Sequence, residues 1–259
     1  MTNNPGLVIA APASGSGKTV VTLGLIRHLT ARGVSVASAK AGPDYIDPAF
    51  HAAATGKPCL NLDPWAMRPE TLARAADSLA GTAEIVICEG VMGLFDGAFV
   101  KQGETPGEND GSTAALCRLT GWPVILVIDA RAQAASAAAG LKGFAEFNPE
   151  VTVAGVVFNR IGGDRHAEIL KNACRQSVPG VPVLGCLPRV EGLELPSRHL
   201  GLVQAAEHPD LETFLDRAAR LAADNLDMDA LISLARPLTL DGDSAGPPLE
   251  PPLQPPWGP

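Results

Sequence analysis

The sequence predicts an α/β protein with a doubly wound, mostly parallel sheet and helices on both faces. Short runs of valine, isoleucine and leucine alternate with alanine-rich stretches in which apolar residues recur at helical spacing. The apolar runs show little polar alternation, which is typical of strands that are covered on both faces. Because strands and helices alternate along the chain, a parallel sheet with helical crossovers is the architecture that fits.

The predicted elements follow one another in a simple order. Six strands are predicted, at residues 7–11, 34–39, 85–88, 124–128, 153–158 and 183–187. Helices are predicted at residues 19–31, 69–80, 112–120, 130–147, 164–176, 210–226 and 227–235. In sheets of this class ligands bind beyond the carboxyl ends of the strands, so we expect the functional residues in the segments that follow them.

Composition indicates the domain organisation and limits the classes of binding partner. Residues 1–236 are predicted to form one domain, whereas residues 237–259 contain eight prolines and no apolar period, which predicts a linker or disordered tail. The net charge is −8, and no cluster of five basic residues occurs. This balance argues against nucleic acid or an anionic membrane as the main partner.

The location and redox chemistry follow from what the sequence lacks. No apolar run reaches the roughly 18 residues that span a bilayer, and the first residues do not have the pattern of a signal peptide. We therefore expect a cytoplasmic protein. The five cysteines include no Cys-x-x-Cys pair, so neither a disulfide framework nor a zinc site is predicted.

The strongest motif is a glycine-rich loop between the first predicted strand and the first predicted helix. Such a loop binds phosphates through backbone N–H groups, with Lys18 at the β- and γ-phosphates and Thr19 at a magnesium ion. Pro12 stands where the usual pattern has its first glycine. The motif adds a P-loop NTPase type to the fold prediction. Its candidate ATP-binding residues are Ser14, Gly15, Ser16, Gly17, Lys18 and Thr19.

Two further segments place carboxylates near strand ends. Lys40 closes the second predicted strand, and Asp44 and Asp47 follow in a loop punctuated by glycine and proline, for which a solvated turn is the alternative interpretation. Glu89 comes directly after the third predicted strand, where P-loop enzymes hold magnesium, and Asp96 follows it. The candidate catalytic residues are Lys18, Asp44, Asp47, Glu89 and Asp96, and the candidate metal ligands are Thr19, Asp47 and Glu89.

Later segments offer contacts to a base and to an anionic ligand. Asn159 follows the fifth predicted strand, where its amide suits the adenine edge, and the Asn-Lys-x-Asp pattern of guanine-selective proteins is absent. ATP is therefore expected rather than GTP, although an asparagine that shapes a turn is the alternative. Further nucleotide contacts are predicted at Lys40, Asn159, Arg160 and Pro188, and substrate contacts at Tyr45, Ser112, Arg198 and His199.

These segments together resemble the N-terminal synthetase domain of the cobyrinic or hydrogenobyrinic acid a,c-diamide synthases. The resemblance runs from about residue 5 to about residue 235, in order and at similar spacing, and more distantly it extends to dethiobiotin synthetase. Its most specific parts are Gly-Pro-Asp-Tyr-Ile-Asp-Pro, Glu-Gly-x-Met-Gly-Leu-Phe-Asp-Gly and Arg-His-Leu-Gly-Leu. The segments that carry it are residues 12–19, 40–48, 89–97, 110–113 with 123–130, 155–162 and 195–202.

The resemblance implies an ATP- and Mg²⁺-dependent carbon–nitrogen ligase of cobalamin biosynthesis. ATP phosphorylates a carboxylate of a corrin-type polycarboxylate, and ammonia then displaces phosphate to give an amide. The family normally carries a C-terminal glutaminase domain that releases ammonia from glutamine, and this sequence has no match to its nucleophile. We therefore expect free ammonia, or a glutaminase domain supplied elsewhere, as the nitrogen source; a homodimer is also possible in such a family.

Three alternatives remain open at this stage. A sister activity, that of cobyric acid synthase or dethiobiotin synthetase, would use the same chemistry on another acid. A partition-type ATPase would carry a second lysine early in the glycine-rich loop, where this chain has Ala13, and a basic or amphipathic docking surface. The third alternative is a nucleotide-binding remnant without catalytic activity.

Overall fold

The fold is organised around one seven-stranded sheet. A computed structural model describes residues 4–98, 110–193, 197–198, 201–202 and 204–240. The sheet has the order β3-β2-β4-β1-β5-β6-β7, and every neighbouring pair is parallel. Its strands are β1 Gly6–Ala10, β2 Val36–Ala41, β3 Leu60–Leu62, β4 Ile85–Glu89, β5 Val124–Asp129, β6 Val153–Ile161 and β7 Val183–Pro188. A separate antiparallel pair joins β8 Ser197–Arg198 to β9 Gly201–Leu202.

Helices cover both faces of the sheet, as the doubly wound prediction requires. They are α1 Lys18–Ala31, α2 Asp47–Thr55, α3 Pro69–Thr82, α4 Thr113–Thr120, α5 Ser136–Glu146, α6 Asp164–Ser177, α7 Leu211–Asn225 and α8 Met228–Ser233. One core cluster packs α3, α4, α5 and α6 against one face, and a second packs α1, α2, α7 and α8 against the other. The sheet is therefore buried on both sides, which explains the nearly continuous apolar strands.

Strand β3 of the main sheet and helix α2 are absent from the sequence prediction. Strand β3 has only three residues and a polar centre, so it carries too little pattern to be recognised. Helix α2 begins inside the segment that was predicted to be a loop. The side chain of Asp44 precedes the helix and accepts hydrogen bonds from the backbone N–H groups of Ile46 and Asp47. Pro48 fits in the first turn because the N–H group that proline lacks has no hydrogen-bond partner within the helix there.

The packed part of the chain continues beyond the predicted boundary at residue 236. Arg236 exchanges two backbone hydrogen bonds with Gly6, and Leu238 is buried in the core. The backbone N–H of Thr239 also donates to the carbonyl oxygen of Thr120. Residues up to 240 thus pack with the domain, whereas most of the proline-rich segment, 241–259, lies outside the described residues.

The strand order brings the predicted site residues to one edge. Strands β2, β4 and β1 are neighbours, and Lys40 and Glu89 are register partners at the carboxyl ends of β2 and β4. On the other side of β1, Asp129 and Asn159 are partners at the ends of β5 and β6. Because all these strands run the same way, both pairs lie at the edge where the glycine-rich loop leaves β1.

Candidate functional site

The glycine-rich loop, residues 12–19, joins the buried strand β1 to helix α1 and is called the phosphate loop below. Gly15 and Gly17 have φ values of 78° and 93°, a left-handed conformation that favours glycine. Lys18 is buried at the start of α1, and its Nζ atom donates to the backbone oxygen of Met92 at 2.5 Å. The loop therefore has the backbone geometry and the cation that phosphate binding requires.

On one side of the phosphate loop, several charged side chains are buried and contact one another. The Nζ atom of Lys40 lies 2.6 Å from Asp47 Oδ2 and 3.2 Å from Glu89 Oε1, and it also donates to the backbone oxygen of Gly90. The hydroxyl of Thr19 donates to Glu89 Oε1 at 2.6 Å. Four predicted residues, Thr19, Lys40, Asp47 and Glu89, thus meet directly.

One member of this group, His51, was not predicted from the sequence. Its Nε2 atom lies 2.7 Å from Glu89 Oε2, and its Nδ1 atom lies 3.6 Å from the sulfur of Cys59. The side chains of His51 and Glu89 are both 0% exposed. His51 lies one turn after Asp47 on α2. Had a helix been predicted there, the Asp-x-x-x-His spacing would have indicated that both side chains lie on the same helix face. Lys40, Asp47, His51 and Glu89 are called the buried network below.

Burial and charge shift the titration of the buried network in opposite directions. Burial and the neighbouring Glu89 raise the pKa of Asp47. Burial opposes ionisation of Glu89 too, but Lys40 and a hydrogen bond with His51 outweigh it and hold the pKa of Glu89 below its usual value. Burial also lowers the pKa of Lys18, although Glu89 partly offsets this effect. Glu89 is therefore an anion at neutral pH, and Asp47 is the carboxylate that is more easily protonated.

On the other side of the phosphate loop, the contacts are partly open to solvent. Asn159 donates to the backbone oxygen of Ser16 at 3.0 Å, and Arg160 donates to the backbone oxygen of Gly15 at 2.7 Å. Arg160 also pairs with Asp129 at 2.8 Å, and Asp129 pairs with Arg131. Asp129, Arg131 and Arg160 are called the open network below. Asp129 was not predicted as a site residue.

A cleft lies beside the phosphate loop, at Gly17. It is open to solvent, and its lining includes Gly17, Asn159 and Arg160. Pro188, at the end of β7, lines it together with Val190. The three residues predicted for nucleotide contact near the ends of β6 and β7 therefore share one cleft.

The remaining predicted residues have local structural contacts or lie apart. Asp44 starts α2 as described, and its Oδ2 atom is 3.9 Å from Lys40. Asp96 accepts a hydrogen bond from the backbone N–H of Gly93. Ser112 is fully buried and caps α4 by accepting from the N–H of Ala115, so it has no surface through which to contact a substrate here. Tyr45 is 77% exposed.

Two predicted substrate contacts fall where no side chain is described. Arg198 belongs to the short strand β8, of which only the backbone is described, and His199 lies outside the described residues. Within the described part of the chain, no helix is long and apolar enough to cross a lipid bilayer, and no group of three or more histidine, cysteine, aspartate or glutamate side chains forms a metal cage.

The phosphate loop and the parallel sheet define a P-loop α/β domain. The solved structure of the signal recognition particle receptor FtsY from Elizabethkingia anophelis has a similar fold. Its TM-score is 0.50 at 14% identity, covering 82% of this chain and 65% of that one. The chain belongs to the CobQ/CobB/MinD/ParA nucleotide-binding domain family, whose model matches residues 7–203.

Within that family the chain is similar to curated hydrogenobyrinate a,c-diamide synthases. It is 49% identical to the one from Brucella anthropi over 247 residues, which cover 95% of this chain and 54% of the relative. It is 51% identical to the one from Rhizobium meliloti over 241 residues, which cover 93% of this chain and 54% of the relative. The chain therefore spans about half the length of the curated relatives it matches.

Proposed function

We propose that the chain uses ATP to activate the a and c carboxylates of hydrogenobyrinate or cobyrinate for amidation. The observation that carries the proposal is the meeting of Thr19, Lys40, Asp47 and Glu89 beside the phosphate loop that holds Lys18. A carboxylate that attacks a γ-phosphoryl group brings two anions together, so the reaction needs fixed positive charge and strict positioning. The name shared by the similar curated relatives supplies the substrate class.

In this proposal each side chain near the phosphates has a separate task. Lys18 gives up its contact with the Met92 backbone and neutralises charge on the β- and γ-phosphates. Lys40 is held by Asp47 and Glu89, with an Nζ atom that is fixed rather than mobile. A substrate oxygen attacks the γ-phosphorus, ADP leaves, and an acyl phosphate forms; ammonia then attacks the acyl carbon and phosphate leaves.

The donor atoms at this place fit a magnesium ion. The buried Oδ1 atom of Asp47 has no hydrogen-bond partner among the described residues, and a buried carboxylate oxygen without a partner is energetically costly. Thr19 and Glu89 provide further oxygen atoms nearby. Magnesium needs only one or two protein oxygens when phosphates and water complete its shell, and it would neutralise phosphate charge. We assign its binding to Thr19, Asp47 and Glu89.

The surface around the site suits a bulky substrate with an apolar ring. The loops that follow β2, β3 and β4 each expose one large apolar side chain, Tyr45, Trp65 and Met92. Exposed apolar side chains gathered at one edge are typical of a binding surface. We assign Tyr45 to contact with the macrocycle, and Asp44 and Asp96 to orientation of substrate or ammonia.

Mass spectrometry of the macrocycle tests the proposal. The protein is incubated with hydrogenobyrinate or cobyrinate, ATP, Mg²⁺ and ammonium at alkaline pH, where more of the nitrogen is unprotonated ammonia. We expect two successive replacements of a hydroxyl by an amino group, each dependent on ATP. Both should also depend on ammonium, because we propose free ammonia as the nitrogen source. Amidation of a different acid instead, such as the substrate of cobyric acid synthase, would reassign the substrate.

A further inference from the structure

Helix α2, which begins at Asp47, also contains a histidine that contacts Glu89. His51 lies one turn further along α2, is completely buried, and points its Nε2 atom at Glu89. Its other ring nitrogen faces the sulfur of Cys59. A buried imidazole with a partner on each nitrogen has a fixed ring orientation, because rotation would break both contacts at once.

The two oxygen atoms of Glu89 have different partners. Oε1 receives the hydroxyl of Thr19 at 2.6 Å and the ammonium group of Lys40 at 3.2 Å, and so faces the phosphate loop. Oε2 has His51 Nε2 at 2.7 Å. Since a carboxylate only accepts hydrogen bonds, His51 donates through Nε2 whether its ring is neutral or charged. The carboxylate plane is thereby fixed at both ends.

We propose that His51 is a positioning residue that holds Glu89 by Oε2 so that Oε1 stays directed at the phosphate loop and at the cation bound there. The inference rests on the proposed function for the cation site, but it assigns a role to a residue outside that site. Without His51, Oε2 would be a buried acceptor lacking its donor, and the carboxylate would rotate to recover one. Partners of this kind set metal affinity because they orient the ligand that touches the metal.

Two substitutions at position 51 separate positioning from mere packing. Glutamine places its amide nitrogen close to the position of Nε2 and keeps a donor for Glu89, whereas asparagine is too short to reach. Phe50→Leu serves as the control, because Phe50 is a fully buried neighbour on the same helix whose truncation lowers stability without touching Glu89. Each variant is measured for thermal stability and for Mn²⁺ binding by electron paramagnetic resonance, with a non-hydrolysable ATP analogue bound.

His51→Asn should weaken Mn²⁺ binding by about ten-fold or more, and His51→Gln should restore most of it. Phe50→Leu should lower the melting temperature and leave Mn²⁺ affinity as it is in the wild type. If His51→Asn binds Mn²⁺ as tightly as Phe50→Leu does, the histidine only fills space and the inference is overturned. If the wild type itself binds no Mn²⁺ with the analogue, the proposed function fails first.

A measurement on the wild type covers the case in which His51→Asn does not fold. The protein is labelled with ¹⁵N-histidine, and the His51 ring signals are assigned by their loss in His51→Gln. Adding Mg²⁺ to the complex with the ATP analogue should shift the Nε2 signal, because the cation withdraws charge from the carboxylate that accepts its hydrogen bond. An unchanged Nε2 signal on saturation with Mg²⁺ would contradict the inference.

Discussion

The buried network and the open network flank the same phosphate loop but differ in their exposure to water. The side chains of Lys40 and Glu89 are 4% and 0% exposed, whereas those of Asp129 and Arg160 are both 18% exposed and that of Arg131 is 56% exposed. Both networks contain charge pairs shorter than 3 Å. Charge pairs of similar length therefore lie in surroundings that differ strongly in their access to water.

This difference separates two kinds of contribution. A buried charge that loses its partner keeps its full desolvation cost, so each member of the buried network depends on the others. Solvent can replace a lost partner in the open network, so its pairs contribute less than about 1 kcal/mol each. We infer that the buried network serves the phosphoryl chemistry and that the open network holds the loop and cleft in shape.

The largest effect is expected from removing the charge of Glu89. Glu89→Gln keeps the shape of the side chain but leaves Lys40 with one carboxylate fewer, so we expect a loss of about 3 kcal/mol in the free energy of unfolding. Turnover should fall by about 100-fold or more, while ATP affinity changes much less, because the charge acts mainly as the transition state forms. Kinetics and urea unfolding measure both effects. The exposed control Glu168→Gln should change neither.

The next effect concerns how closely the phosphate loop approaches Asn159. A side chain at Gly17 would meet the Asn159 amide and would also be strained at a φ of 93°, whereas at Gly15 only the strain at 78° applies. Gly17→Ala should therefore weaken ATP binding about ten-fold beyond the effect of Gly15→Ala, whose strain alone costs about 1–2 kcal/mol. Calorimetric titration with ATP compares the two variants. Equal losses would mean that the contact with Asn159 contributes nothing.

A smaller effect is expected in the open network. Arg160→Ala removes the hydrogen bond to the Gly15 backbone and the pair with Asp129, both of which are partly accessible to water. KM for ATP should rise about three- to five-fold and kcat should stay within about two-fold, since exposed charge contacts contribute under about 1 kcal/mol. A drop in kcat as large as that of Glu89→Gln would remove the distinction between the two networks.

The smallest effect is a change of stability with pH at Asp129. Burial opposes its ionisation, but hydrogen bonds from Arg131 and Arg160 outweigh it and lower its pKa below the ordinary value of about 3.9. Its stabilisation is therefore complete above about pH 4 and is lost as the pH falls through the folded-state pKa. The deficit of Asp129→Asn, below about 1 kcal/mol at pH 7, should shrink progressively as the pH is lowered below about 4. Asp224→Asn, an exposed control, should show no such trend.

The fold was predictable because its signals are local and repeated. The apolar strands and the period of the helices predicted the doubly wound sheet, and the positions at strand ends predicted which residues gather at one edge. Strand β3 and helix α2 escaped because one is three residues long and the other begins in a segment rich in turn-forming residues. Strand β3 depends on its pairing with β2, which is a tertiary contact. Helix α2 depends on hydrogen bonds from its first backbone N–H groups to the side chain of Asp44.

The candidate site was predictable where chemistry and position coincide. Lys40 and Glu89 lie at the carboxyl ends of strands, and Lys18 and Thr19 belong to the loop and helix that follow β1. His51 and Asp129 were missed because their importance lies in a partner, Glu89 or Arg160, that is distant in sequence. Ser112, by contrast, has the side chain of a contact residue but is used to cap α4.

An oxygen-labelling experiment tests carboxylate activation most directly. Hydrogenobyrinate labelled with ¹⁸O in its carboxylates is incubated with the protein, ATP, Mg²⁺ and ammonium, and the released phosphate is analysed by mass spectrometry. If a substrate carboxylate attacks the γ-phosphorus, the oxygen that bridges carbon and phosphorus leaves with phosphate, so each amide formed yields one ¹⁸O-labelled phosphate. Amide formation accompanied by unlabelled phosphate, or phosphate released without amide, would contradict carboxylate activation by this site.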